Sequence, residues 1–188
     1  MREGSMQTEM ALTERDLLRV QAANPDCRVE LRDGKIIVMS PSGLYSELVV
    51  TNLVAHLQSF VRDRKLGFVV GSSGGFHLPN GDIVGPDVSF VSRERLRSVP
   101  CGFARIAPDL AVEVKSPSNR IPELAEKLAM LRSQGTQVTL LVDPDERTVV
   151  FEGAGGRPRI LRAEDAIELP SLVPGWSMRV SELWPEEL

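Results

Sequence analysis

Histidine and cysteine are scarce in this chain. Two of each occur, His56, His77, Cys27 and Cys101. Neither type has the paired spacing of a zinc site, and two isolated thiols make no disulfide framework. Long apolar runs are also missing. None approaches the ~20 residues that cross a bilayer, and the opening Met1-Arg2-Glu3-Gly4-Ser5-Met6 lacks the apolar stretch of a signal peptide. The chain therefore reads as cytoplasmic, with no membrane contact. Excess positive charge is absent too: 22 Lys and Arg against 26 Asp and Glu leave a formal net charge of −4. That weighs against non-specific coating of nucleic acid, though not against a local basic groove. The glycine-rich Gly71-Ser72-Ser73-Gly74-Gly75 is no phosphate-binding P-loop, because the closing lysine and Ser/Thr are missing.

What remains is an ordinary globular composition, 42% apolar and 26% charged over 188 residues, enough for one domain with a substantial core. Residues 1–12 read as a poorly ordered tail and 13–188 as a single domain. Thr13 is a candidate N-cap for a short helix that Asn24-Pro25 ends. Residues 28–31 and 36–39 flank Asp33-Gly34, the signal of a β-hairpin. From Tyr45 to Arg64, Leu48, Val49, Leu53, Leu57, Phe60 and Val61 recur at three- and four-residue steps, a helical stripe. Strands are expected at 68–70, 75–78, 87–91, 110–115, 138–142 and 148–151, with a short helix over 92–96. An amphipathic helix is expected over 123–134, closed by Gly135. This order predicts an α/β (α+β) domain, a mixed central β-sheet flanked by helices.

Chemistry is signalled by charge where a strand should be apolar. In Leu110 to Lys115, Leu110, Val112 and Val114 share one face, and Ala111, Glu113 and Lys115 the other. A carboxylate and an ammonium on a covered face are costly unless paired with each other, a metal or a substrate. Asp87, after Pro86 at the start of a neighbouring strand, adds a second carboxylate. Asp87 and Glu113, with waters and the Val114 carbonyl, can hold Mg²⁺ or Mn²⁺, and Lys115 can orient the attacking water. That is the chemistry of phosphodiester hydrolysis. Glu47, early in the long helix, is the candidate for a further acidic group. Lys127 is either half of a solvated Glu123–Lys127 pair or a lysine reaching back to the site. Tyr45, the only tyrosine, stands at a helix entry, where it contacts substrate or is simply half-buried. Arg93, Arg95, Arg97 and Arg105 are either nucleic-acid contacts or ordinary surface.

Asp87, Glu113 and Lys115 reproduce the Pro-Asp … (Asp/Glu)-x-Lys signature of the restriction-endonuclease-like nucleases. Around them stand Val38-Met-Ser-Pro-Ser-Gly, Gly74-Gly-Phe-His-Leu-Pro-Asn-Gly, Gly85-Pro-Asp-Val-Ser-Phe-Val and Pro108-Asp-Leu-Ala-Val-Glu-Val-Lys-Ser-Pro-Ser-Asn. Together they resemble the Uma family of uncharacterised bacterial proteins, grouped with restriction endonucleases, over about residues 30–183. The resemblance implies a restriction-endonuclease-like core, a Mg²⁺ or Mn²⁺ site, DNA as substrate and a homodimer. It carries over Asp87, Glu113 and Lys115 as the site. Many members instead keep a lysine in the following helix, matching Lys127, and show a histidine at the position of Tyr45 followed by a Glu matching Glu47. Two other readings stay open. One is a catalytically silent interaction protein with an internal Glu113–Lys115 salt bridge. The other is a metal-dependent hydrolase of a different phosphate ester, which a narrow closed pocket would favour.

Overall fold

The structure is a computed structural model that describes residues 11–186. In chain order the elements are α1 (Glu14–Ala23), β1 (Arg28–Arg32), β2 (Lys35–Met39), α2 (Leu44–Arg64), β3 (Gly67–Gly71), β4 (Phe76–His77), β5 (Ile83–Val84) and β6 (Val88–Ser92). Then come β7 (Leu110–Val114), α3 (Ile121–Ser133), β8 (Val138–Asp143), β9 (Thr148–Gly153), β10 (Arg159–Leu161), β11 (Ala166–Glu168), β12 (Ser177–Arg179) and a short 3-10 helix, Val180–Leu183. Of the expected tail, residues 1–10 lie outside the described residues. Just beyond them, the Leu12 N–H donates to the Gly34 carbonyl at 3.0 Å.

A six-stranded sheet, in the order β10-β9-β8-β7-β6-β3, forms the centre. Its pairs are antiparallel except β7 with β8, which run parallel and are joined through α3. A parallel pair needs such a crossover, because no tight turn can return the chain to the same end. The alternation in β7 decides the layers. Leu110, Val112 and Val114 pack in the core that holds Val49, Leu53, Leu57 and Val61 of α2. Ala111 packs in the opposite core with Leu124, Leu128 and Leu131 of α3. Both faces of β7 are covered and every residue of the strand is buried. Leu48, part of the predicted stripe of α2, is exposed instead; Val50 takes the buried place.

A second, antiparallel sheet, β2-β1-β5-β4, lies beside the first. Its hairpin turns at Asp33 and Gly34, with φ of +49° and +68°. Two successive positive φ values match the twist of flanking strands and suit an Asp-Gly pair. Leu31 and Ile83 bury this sheet against Leu17 of α1. The short helix expected over 92–96 is a single turn. The Arg95 and Leu96 N–H groups bond back to Ser92, and Arg95 is held by the buried Asp109 carboxylate at 2.5 Å. β6 keeps Ser92 as a strand residue through its pairing with Gly67.

Candidate active site

Register brings the two strand carboxylates together. β6 and β7 pair Val88 with Val112 and Ser89 with Ala111, so one further step sets Asp87 opposite Glu113. Both have the parity of the α3 face. Asp87 is tied at both oxygens: Oδ2 accepts the Val114 N–H at 2.8 Å and Oδ1 meets Arg28 at 3.0 Å. The strand before β6 approaches tightly here. A Cβ on Gly85 would stand 2.9 Å from the Gly74 carbonyl oxygen, so this turn needs glycine.

Lys127 comes down from α3 between two glutamates. Its Nζ donates to Glu30 Oε1 at 2.7 Å and to the Gly85 carbonyl at 3.3 Å, and lies 2.8 Å from Glu113 Oε1. An ammonium has three N–H donors, and three oxygens surround this one. Glu30 Oε1 also accepts the Gly85 N–H at 2.9 Å, while its Oε2 is buried without a hydrogen bond, 3.4 Å from Arg32 Nε. Side-chain exposure is 3% at Glu30, 4% at Glu113, 5% at Lys127 and 13% at Asp87. These groups line a cavity of about 310 Å³, together with Ile37, Val38 and Met39 of β2, with Ser116, Ser118 and Asn119, and with Glu123 and Leu124 of α3.

Burial sets the proton affinities. Removal from water pushes the Glu113 carboxyl up from 4.5 to about 7; Lys127 opposes that rise, and Asp87 and Glu30 add to it. For Lys127, burial pulls downward, but the carboxylates of Glu113 and Glu30 outweigh it and hold the ammonium above its usual value. Near neutral pH the cation is therefore fixed, while Glu113 is the group that changes charge.

Lys115 stands elsewhere. Alternation put it on the Glu113 face, but β7 ends at Val114 and the chain turns. The Lys115 N–H bonds the Val142 carbonyl, and its Nζ sits 2.6 Å from Asp145 and 3.5 Å from Asp143. Hydrogen bonding to Asp145 raises its pKa. The Glu113–Lys115 salt bridge expected of a silent protein is replaced by Glu113–Lys127. Glu47 stands outside this cavity. Ser46 is the inward residue, donating to the Lys115 carbonyl at 2.8 Å, so Glu47 one position on is exposed and lines a separate groove with Val50, Thr51 and residues 70–74. Tyr45 is exposed at the start of α2. Of the four arginines considered as contacts, Arg95 is bound to Asp109, and Arg105 to Glu14 and His77.

The family of putative restriction endonucleases designated Uma2 matches residues 15–181. The chain belongs to the Uma2 family. A solved structure from Anabaena variabilis ATCC 29413, described as a putative nuclease belonging to DUF820, superposes on this Uma2 chain with a TM-score of 0.73 at 22% identity. The match covers 82% of this chain and 88% of that one, and at that identity it shows a shared fold. No curated protein is matched.

Two residues of this cluster went unread in the sequence, Arg28 and Glu30. Both come from β1, two apart on one face, and both grip the Gly85–Asp87 turn. Their signal was there: two opposite charges at the same parity of a hairpin strand, the pattern that singled out Glu113 and Lys115.

Proposed function

We propose that this protein is a divalent-metal-dependent nuclease that hydrolyses DNA phosphodiester bonds, with Asp87, Glu113 and Lys127 as its working side chains. The observation that carries this reading is the meeting of Asp87, Glu113 and Lys127 on the buried α3 face of β6 and β7 in a Uma2 protein. Among the described residues no three His, Cys, Asp or Glu side chains form a ready ion cage. Mg²⁺ does not require one, since it binds through one or two carboxylates and keeps several waters. The donors fit such an ion in kind: hard oxygens of Asp87 and Glu113 at the cavity, and a buried Glu30 oxygen without a hydrogen bond, although Arg28, Arg32 and Lys127 already stand against these three carboxylates. Asp87, Glu113 and the Val114 carbonyl would hold it.

When bound, the ion supplies positive charge at the phosphate and acidifies water. Lys127 places a fixed ammonium beside the reacting group, where it stabilises the charge that develops on phosphorus oxygens. Glu113 sheds its proton near pH 7, so the donor set reaches full charge only above that value. Lys115, paired to Asp143 and Asp145, is a rim residue in this scheme. A homodimer would set two such sites side by side, each cutting one strand. The test is incubation with circular single-stranded and duplex DNA in Mn²⁺ or Mg²⁺. Nicking or linearisation by the wild type, lost in Asp87→Asn, supports the reading. Intact DNA of both kinds with either ion refutes it.

A further inference from the structure

The floor of this site lies behind walls. Asp87, Glu113, Lys127 and Glu30 line a cavity of about 310 Å³, near the low end of the ~300–1,000 Å³ typical of small-molecule pockets, and Glu30 also borders a second cavity with Arg28 and Gly85. β2 closes one side with Ile37, Val38 and Met39, and the start of α3 closes another. The walls belong to separate elements, so no single side-chain rotation opens them into a groove. A duplex presents its phosphates on a convex surface, with each nucleotide held in place by its paired base. Such a surface meets the rim at Val38, Ser42 and Ser118, and leaves its phosphates short of groups only 3–13% exposed. A nucleotide freed from its partner rotates about its backbone and enters, as it does in enzymes that act on extruded bases.

The lining matches that guest. Ile37, Val38, Met39 and Leu124 give an apolar side for a base or sugar, and Arg28 and Arg32 give cations beside the acidic floor. We propose that the substrate enters as an unpaired strand: the site takes one nucleotide unit of single-stranded, flapped or frayed nucleic acid, and uninterrupted duplex is excluded. This rests on the nuclease reading above and sharpens it, since a splayed strand is cut by one site alone.

The test compares one sequence as a single strand, as a blunt duplex and as a duplex bearing a flap. Binding is read by fluorescence anisotropy in Ca²⁺, and cleavage by gel in Mn²⁺. The single strand and the flap are expected to bind at least about tenfold tighter than the blunt duplex, with cuts confined to unpaired nucleotides. Val38→Trp narrows the mouth from an outer strand where residue 38 is 49% exposed. It is expected to abolish the single-strand preference without moving the melting temperature. Blunt duplex bound and cut as well as single strand would overturn the proposal and leave the nuclease reading standing. Unchanged single-strand affinity in a folded Val38→Trp protein would also overturn it. Absence of binding and cleavage with all three substrates would remove the nuclease reading itself, and this inference with it.

Discussion

Replacing Lys127 with methionine removes one charge and nearly nothing else. The methionine stem fills most of the space, so the cost is electrostatic. Two carboxylates, Glu30 at 2.7 Å and Glu113 at 2.8 Å, lose their buried counterion. Breaking a buried pair by deleting one partner costs about 3–5 kcal/mol. At ~2–4 °C per kcal/mol for a chain of this size, the melting temperature should fall by roughly 6–20 °C. The loss must depend on pH. Glu113 already titrates near 7 against an unfolded value of 4.5, so the folded state binds the extra proton and wild-type stability declines by about 3 kcal/mol as pH rises from 4.5 to 7. Lys127 restrains that rise, and without it Glu113 stays protonated to higher pH. Lys127 itself contributes stability throughout the neutral range, because its raised pKa is passed only in strong alkali. The deficit of Lys127→Met is therefore largest at pH 8 and shrinks towards pH 5, where a proton on Glu113 replaces the ammonium. Urea or thermal melts at pH 5, 6.5 and 8 measure it. A loss under about 1 kcal/mol at pH 8, or one that is the same at all three values, refutes the reasoning.

Mn²⁺ must displace the Glu113 proton below pH 7. Its affinity by calorimetry should rise about tenfold per pH unit up to 7 and level off above it; a flat profile from pH 5.5 to 8 would exclude Glu113 as a ligand. Arg28→Gln frees Asp87 Oδ1 of its cation and should tighten Mn²⁺ binding by about tenfold, from the relief of repulsion between two cations a few ångströms apart; weaker binding would place Arg28 among the groups that build the site. Lys115→Ala, which breaks only the rim pairs with Asp143 and Asp145, should leave cleavage within about threefold of wild type, while Lys127→Met should lower it by about 10² or more. The opposite ranking would return the active lysine to Lys115.

The parts of this fold set by local periodicity were legible in the sequence. The stripe of α2, the Asp33-Gly34 hairpin and the alternation of Leu110 to Val114 each state which face is buried, and Glu113 could be placed on a covered face from that alone. Lys115 could not, because alternation says nothing about where a strand stops. Its partners lie beyond α3: Asp143 ends β8 and Asp145 sits in the turn after it. For Glu30 the sequence showed the pattern of charges but not that its face is covered. In isolation the hairpin is a two-faced ribbon with one side in water, and only docking beside β5 and α3 buries that side. Glu47 stands one helical position, about 100° of rotation, from the inward Ser46, a phase that the stripe of apolar residues alone did not fix. Membership of the family came from the run of short motifs, whereas which lysine stands beside Glu113 came only from the tertiary structure.

The most direct test of the account is titration of Mn²⁺ into the wild-type protein and into Asp87→Ala by calorimetry, with both proteins shown to be folded by thermal melting and single-stranded and plasmid DNA cleavage scored on the same samples. The account expects saturable binding and cleavage in the wild type, both lost in Asp87→Ala. Heats in the wild type no greater than buffer, even with DNA present, would contradict it and leave the Asp87, Glu113 and Lys127 cluster as a structural network.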